Sequence, residues 1–279
     1  MLRSRTSAVA WMAAALFSFA LAGCGGDTTE QPQPEPDQTG RVPPAEPAGA
    51  GPGNGTGYVF ATNKLFLGES DRTGAASDEA WKEFGYNLDG KISDATSTDL
   101  CKPVGTATAS SVYTDGNEGI DNSFGKNILQ IITSLVASPS AEVNTSIADG
   151  SFTVMVEIDQ LGADPSYTGL PARLLIGSQL VDAAGMDLAP TWDGNDEWPL
   201  VQEFLNDPTD PKSSKVQFPN SYLVENTWVS NASGSLNLSV SVAGYSLNLP
   251  IVNAIITMDI NPDRSGAVNG TIAGILPTE

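Results

Sequence analysis

The sequence contains no histidine. This absence excludes Ser-His-Asp and Cys-His catalysis, zinc sites built on imidazole, and a histidine pH switch. Catalysis by carboxylates, or by a serine with a lysine, remains open to the chain.

Basic residues are also scarce, with 13 Lys and Arg against 33 Asp and Glu, which gives a net charge of −20 at pH 7. Nucleic-acid binding needs a basic face, so we expect no nucleic-acid partner. The same acidity disfavours lying flat on anionic lipid. It favours solubility and the attraction of cations.

Cysteine occurs only twice, as Cys24 and Cys101. The first follows an apolar stretch, residues 8–21, that comes after Arg3 and Arg5. This stretch is shorter than the roughly 20 residues that span a bilayer, and it is typical of a secretory signal. Cys101 has no partner in the chain if Cys24 is modified; it is then a buried thiol, pairs with another chain, or pairs with a cysteine that lies outside the given sequence.

The residues Leu21-Ala22-Gly23-Cys24 resemble the lipobox of bacterial lipoproteins. The resemblance implies a signal peptide over residues 1–23, cleavage before Cys24, and acylation of that cysteine. The partner of the acylated residue is then the lipid bilayer, because several acyl chains on one residue anchor firmly. Gly25 stands where an aspartate would favour inner-membrane retention, so the resemblance implies the outer membrane rather than the inner one.

Residues 24–57 are predicted to be the lipidated cysteine and a disordered tether. The segment is rich in proline and glycine, and Val42 is its only large apolar residue. Such a segment buries too little apolar surface to offset its ordering entropy. It is therefore expected to hold the folded part clear of the membrane.

Residues 58–279 are predicted to form a single β-rich domain. The chain lacks alternating strands and helices, and residues 152–158 and 235–242 alternate apolar and polar side chains, which indicates antiparallel strands with one buried face. We predict an all-β fold, a mainly antiparallel sandwich, open barrel or meander, with two or three short inserted helices. The predicted elements are an opening strand over 58–67, strands over 221–230, 245–249 and 253–260, and helices starting near residues 77, 124 and 139.

Ile128, Ile131, Ile132 and Leu135 recur at helical spacing, so the helix after residue 124 is predicted to face the core. The chain from residue 57 onward also resembles an uncharacterised group of secreted bacterial lipoproteins. The resemblance is carried by "LDGKISDATSTDLCKP", "GIDNSFGKNIL", "GSFTVMVEID" and "FPNSYLVENTWVS". It implies a β-rich extracytoplasmic lipoprotein and no particular activity.

One candidate metal site lies in "YTDGNEGIDNSFG", residues 113–125. Calcium takes six to eight oxygen ligands, and glycines allow a loop to fold around the ion. The alternative is a glycine turn that leads into a helix capped by Asp121 or its neighbours. The candidate calcium ligands are Asp115, Asn117, Glu118 and Asp121; no other cofactor is expected.

A second candidate, for ligand binding, lies in "TWDGNDEWP", residues 191–199. Carboxylates beside aromatic rings are what a sugar-binding site uses, and the alternative is a loop whose tryptophans pack against the core. The candidate residues are Trp192, Asp193, Asp196 and Trp198.

These observations predict a membrane-anchored extracytoplasmic lipoprotein without enzymatic activity, a binding or envelope-structural module. Its partner would be an envelope component, a glycan or a protein. The alternative is a carboxylate-dependent hydrolase acting on envelope polysaccharide. That alternative requires two carboxyl groups that converge in a cleft.

Overall fold

The computed structural model describes residues 40–97, 106, 114–231, 235–242 and 245–277. Cys24 and Cys101 lie outside this part of the chain, so the predictions that concern them are not addressed by it. The described strands are β1 (Tyr58–Ala61), β2 (Thr153–Ile158), β3 (Tyr167–Gly177), β4 (Gln217–Val224), β5 (Thr227–Val229), β6 (Ser235–Val242), β7 (Tyr245–Ile260) and β8 (Ala267–Ile275). The α-helices among the described residues are α1 (Leu129–Leu135) and α2 (Pro139–Ala148).

All eight of these strands belong to one antiparallel sheet. The strand order is β1-β2-β3-β4-β5-β7-β6, and β8 pairs with β7. The first five strands therefore follow one another along the chain as a meander. The prediction of an all-β, mainly antiparallel fold with a few short helices is confirmed.

The main core lies on one face of the sheet. Strand β2 directs Val154, Val156 and Ile158 into it, as the alternating sequence predicted. Helix α2 covers part of this face with Val143 and Ile147, both fully buried. The opposite face carries a smaller cluster, Met155, Leu175 and Leu205, beneath the long connection between β3 and β4.

Residues 221–230 form a hairpin and not the single strand that their alternation suggested. Glu225 and Asn226 have φ angles of 49° and 68°, and they reverse the chain between β4 and β5. Two consecutive residues with positive φ are the mark of a type I′ turn, which matches the twist of a β-hairpin. Asparagine tolerates this conformation, but glutamate rarely adopts it, so the sequence carried only half of the usual turn signal.

Residues 245–260 form one long strand, whereas the sequence predicted two. Pro250 lies within β7 and faces Asn237 of β6. The register shifts between Val252 and Ile255, where Asn253 has a φ of 50°. The irregularity that looked like a break between two strands is therefore a bulge within one strand.

The structure differs from the predicted tether at residues 40–57, which lie along the domain. The backbone N–H of Thr168 donates to the carbonyl of Gly51, and the Tyr222 hydroxyl donates to the carbonyl of Pro44 (2.9 and 2.6 Å). These bonds use backbone carbonyls, which every residue has, so composition could not reveal them. The part of the chain that bonds to the sheet thus reaches back to Pro44.

Helical structure starts at Phe124, but the predicted apolar stripe does not face the core. The first turn, Phe124–Ile128, is a π-helix, and α1 follows it directly. Gly125 and Leu129 face inward, whereas Ile131 and Leu135 are 65% and 74% exposed. Ile132 is half-buried, so most of the predicted stripe faces solvent.

The remaining early elements are shorter than predicted. The opening strand ends at Ala61, and the helix expected from residue 77 is a 3₁₀ turn over Ala80–Glu83. Pro139 begins α2, as predicted from its place after Ser138. Within the described residues, no helix is long and apolar enough to cross a membrane.

Candidate functional site

The acidic segment predicted as a calcium loop folds as a turn that precedes the π-helix. Asn117–Gly119 is a 3₁₀ turn, and Asn117 and Glu118 are exposed. The side-chain oxygen of Asn122 accepts a hydrogen bond from the N–H of Gly125 (2.7 Å), so Asn122 caps the helical segment. This arrangement corresponds to the turn-and-cap alternative.

Asp115 and Asp121 lie close enough for the charge of Asp121 to raise the pKa of Asp115. Asp115 also accepts the N–H of Ser93 (2.5 Å), and Asp121 accepts the N–H groups of Leu88 and Asp89 (2.6 and 3.1 Å). The two aspartates therefore fasten the loop of residues 86–94 to the loop of residues 114–121. The sequence did not predict this contact, because it joins two turns that are distant in the chain.

Burial is the main cause that raises the pKa of Asp115 to about 6. The N–H of Ser93 opposes this shift, and the charges of Asp121 and Asp89 add to it. Burial likewise raises the pKa of Asp121, against the hydrogen bond from Leu88. The nearby negative charge of Asp121 makes the ionised form of Asp115 less favourable.

Asp115→Asn is expected to stabilise the domain at pH 7 and to have little effect at pH 4. A carboxyl whose pKa is raised in the folded state stabilises fully below its unfolded pKa, near 3.8, and this stabilisation is lost as the pH rises through about 6. Asparagine mimics the protonated form at every pH and keeps an acceptor for Ser93. The expected gain at pH 7 is on the order of 1 kcal/mol, discounted for solvent screening of a partly exposed group.

Urea unfolding at several pH values between 4 and 7 measures this effect. Asp193→Asn is a control, because Asp193 is exposed and its pKa is lowered by hydrogen bonds within its own turn. A difference between Asp115→Asn and wild type that stays constant across this pH range would contradict the prediction.

The structure does not assemble the four predicted calcium ligands. Asp115 and Asp121 meet, but each binds backbone N–H groups, and Asn117 and Glu118 point into solvent. Across the described ranges, no group of three or more histidine, cysteine, aspartate or glutamate side chains is placed to hold a metal ion. Calcium at this loop therefore finds no geometric support.

A cleft of about 1250 Å³ lies beside the aspartate pair, and Asp115 is part of its wall. It separates the segment of residues 64–82 from the helical segment of residues 124–144. The cleft has mixed charge. Lysine, carboxylate, hydroxyl and amide groups all line it, among them Lys82, Glu69, Lys126, Ser140 and Asn144.

Two contacts hold the walls of this cleft at fixed positions. Glu69 accepts hydrogen bonds from the backbone N–H and the hydroxyl of Ser140 (2.5 and 2.8 Å), at the start of α2. Lys82 and Lys126 both lie 5.7 Å from the ring of Trp81, which is buried beneath them. The cleft is thus larger than many small-molecule pockets, and it offers donors and acceptors but little exposed aromatic surface.

The polar side chains of the predicted ligand loop mostly form hydrogen bonds within the loop itself. Asp196 accepts hydrogen bonds from the N–H of Thr191 and of Trp192 (2.9 and 2.8 Å), and Asp193 accepts one from Asn195. The rings of Trp192 and Trp198 lie against each other, with centroids 6.0 Å apart.

Trp198 also packs on the smaller hydrophobic cluster beneath the connection between β3 and β4. The structure therefore brings together Trp192, Asp196 and Trp198, but it leaves Asp193 exposed on its own turn. This arrangement agrees with the packing alternative.

A second, smaller cleft of about 340 Å³ was not predicted from the sequence. Its polar wall includes Asp259, which accepts hydrogen bonds from Thr227 and Asn269 (2.8 and 2.9 Å). Tyr86 bonds to Thr257 in the same wall (2.7 Å), and Arg41 closes one side. The only sequence signal is an aspartate within the apolar run of β7.

No protein-family model matches the chain, and searches among curated proteins and among solved structures find no significant match. The resemblance to bacterial lipoproteins therefore rests on the sequence motifs alone.

Proposed function

We propose that this chain is a lipid-anchored protein of the bacterial envelope whose β-domain binds an envelope component, a glycan or a protein. The observation that carries the proposal is the sequence Leu21-Ala22-Gly23-Cys24 after a basic and then apolar start. Gly25 favours the outer membrane over the inner one.

The geometry supports binding more than catalysis. The large cleft offers both hydrogen-bond donors and hydrogen-bond acceptors, as recognition of a polar ligand requires. The carboxylates of Asp193 and Asp196 are held by their own turns. Loops and helices on one side of a sheet are also where binding groups commonly lie.

The alternative, a carboxylate-dependent hydrolase, is favoured by one observation. Asp115 has a raised pKa, lies near the charge of Asp121, and forms part of the wall of the cleft. However, a glycoside hydrolase needs two carboxyl groups that flank one bond, whereas Asp121 is not among the residues that line the cleft and accepts the N–H groups of Leu88 and Asp89 instead. Hydrolysis of envelope polysaccharide that is lost in Asp115→Asn, with unchanged unfolding free energy at pH 4, would favour this alternative.

Cys24→Ser is expected to abolish acylation and release the protein from the membrane. Cys24 supplies the only sulfur in the predicted lipobox, and several acyl chains are needed for firm anchoring. Palmitate labelling in a bacterial host and fractionation of the envelope measure both effects. Cys101→Ser is the matched control, since it removes the only other cysteine and should leave labelling and membrane association unchanged. A Cys24→Ser protein that still labels and sediments with membranes would refute the proposal.

A further inference from the structure

The smaller cleft contains an arginine and an aspartate that do not pair with each other. Arg41 and Asp259 both line this cleft of about 340 Å³, and no ion pair joins these two described residues. Each is held in place by other groups, so both charges are available to a third partner. Opposite charges that line one space without neutralising each other are complementary to a ligand that carries both charges.

The carboxylate of Asp259 is fixed but keeps acceptor sites for a ligand. One oxygen accepts a hydrogen bond from the Thr227 hydroxyl (2.8 Å), and the other accepts one from the side-chain amide of Asn269 (2.9 Å). An ionised carboxylate has about four acceptor sites, so about two remain. Asp259 is also half-buried, where a charge is less screened by water than on the open surface. It therefore suits the ammonium group of a ligand.

Arg41 is fixed mainly through its backbone, which leaves its side chain available. Its N–H donates to the carbonyl of Glu118 (2.8 Å), and its own carbonyl accepts the N–H of Asn87 (2.7 Å). The guanidinium donates to the carbonyl of Glu83 at 3.5 Å, a long and weak hydrogen bond. Because a guanidinium has five N–H donors in a planar fork, Arg41 can still bind a carboxylate through two parallel hydrogen bonds.

A second arginine adds positive charge near Arg41. Arg72 is half-buried, and its guanidinium donates to the carbonyl of Gly270 (3.3 Å). Burial lowers the pKa of Arg72, and the charge of Arg41 lowers it further, whereas the smaller effects of Glu83 and Asp259 oppose this shift. The largest charge effect on Arg72 is thus repulsion by Arg41. An anionic group bound beside Arg41 would relieve this repulsion.

The rest of the wall is small and partly apolar. Val42 and Pro44 line the cleft, and Val42 is 51% exposed, so it can contact an aliphatic group of a ligand. The Tyr222 hydroxyl donates to the carbonyl of Pro44 (2.6 Å), which holds this part of the wall on the sheet. A volume of about 340 Å³ is near the lower end for small-molecule sites. The cleft therefore suits one or two small residues better than a polymer.

We propose that the smaller cleft binds a small zwitterion, an amino acid or dipeptide with small aliphatic side chains. Its carboxylate pairs with Arg41, its ammonium group pairs with Asp259, and its side chain contacts Val42. An anion alone would leave Asp259 unmatched, and a cation alone would leave Arg41 unmatched, so a ligand with both charges uses the cleft best. This site is separate from the large cleft, and the inference does not depend on the lipid anchor.

Titration of the full mature chain with alanine and with dialanine, followed by NMR of the ligand, tests the site. At least one of the two zwitterions is expected to bind saturably at neutral pH. Its N-acetyl form lacks the ammonium group and its amide lacks the carboxylate, and each is expected to bind about tenfold more weakly, because each loses a hydrogen bond between charged groups. These comparisons use the unsubstituted protein, so a folding defect cannot imitate the result.

Substitutions assign each end of the ligand to its residue. Arg41→Gln should remove the preference for the free carboxylate over the amide, and Asp259→Asn should remove the preference for the free ammonium group over the acetyl form. Arg41→Lys should keep part of the first preference, because lysine keeps the charge but not the planar fork. Lys64→Gln and Asp78→Asn are matched controls with the same charge changes at exposed residues of the large cleft, and both preferences should persist in them.

Three results would overturn the inference. The first is no saturable binding of either zwitterion at millimolar concentration, or equal affinity for a zwitterion and both of its blocked forms. The second is a preference for the zwitterion that survives both Arg41→Gln and Asp259→Asn. The third is an equal loss of affinity in the matched controls, which would reflect net charge or the large cleft. None of these results bears on the lipid anchor, which acylation of Cys24 tests separately.

Discussion

Trp228→Ala is expected to lower the free energy of unfolding by about 3–5 kcal/mol, the range for removal of a large aromatic side chain from a core. Trp228 is fully buried on β5, a strand of three residues between β4 and β7. Its ring packs edge-on against Phe218, with centroids 6.0 Å apart, and its indole N–H donates to the Ser221 hydroxyl (2.9 Å). The substitution therefore removes packing at the centre of the sheet and also leaves a buried hydroxyl without one partner.

Urea unfolding followed by circular dichroism measures this loss. Ser221→Ala separates the two contributions, because it removes the hydrogen bond and keeps the ring; about 1–3 kcal/mol is expected. Trp192→Ala is the matched control, since Trp192 is only partly buried and lies in a loop. A loss for Trp228→Ala no larger than that for Trp192→Ala would show that β5 is not a central element of the core.

Arg173→Met is expected to lower the free energy of unfolding by about 3 kcal/mol, near the lower end for breaking a buried ion pair. Arg173 lies on β3 with 5% of its surface exposed. Its guanidinium pairs with Glu157 on β2 (2.6 Å) and with Asp159. Methionine fills similar space but leaves two carboxylates, 19% and 23% exposed, without their main countercharge.

Charge neutralisation should reverse part of this loss. The triple variant Arg173→Met/Glu157→Gln/Asp159→Asn removes the carboxylates along with the cation, and it should be more stable than Arg173→Met alone at pH 7. Lys212→Met is a control, because its ammonium group is exposed and lies 3.4 Å from Asp159. We expect less than about 1 kcal/mol for it.

The loss caused by Arg173→Met should also depend on pH. Although burial favours the protonated form, the hydrogen bond and charge of Arg173 hold the pKa of Asp159 below its usual value of 3.8. Such a group stabilises the fold above its unfolded pKa, and this stabilisation is lost as the pH falls through the lower folded value. The difference between wild type and Arg173→Met should therefore shrink below about pH 4, and a difference that grows there would contradict the ion-pair account.

The sequence by itself determined the fold class and the strands with strict alternation. In β2, every second residue had to face the core, and Val154, Val156 and Ile158 do so. The start of α2 was equally local, because Pro139 suits the first turn of a helix. These elements follow from side-chain period and backbone preference, which need no knowledge of distant neighbours. The lipobox proposed at Cys24 is likewise a local pattern, and palmitate labelling of Cys24→Ser tests it.

Only the tertiary structure decided which side of the helix after Phe124 faces the core and which groups the acidic residues contact. Most of the apolar stripe of this helix faces solvent and not the expected core, and no spacing rule contains that choice. The aspartates at 115 and 121 bind backbone groups of the loop of residues 86–94, and Gly51 and Gly55 bond to the backbone of Thr168 and Gln160. Every residue offers such backbone partners, so the identity of the partner depends on where the chain returns in space.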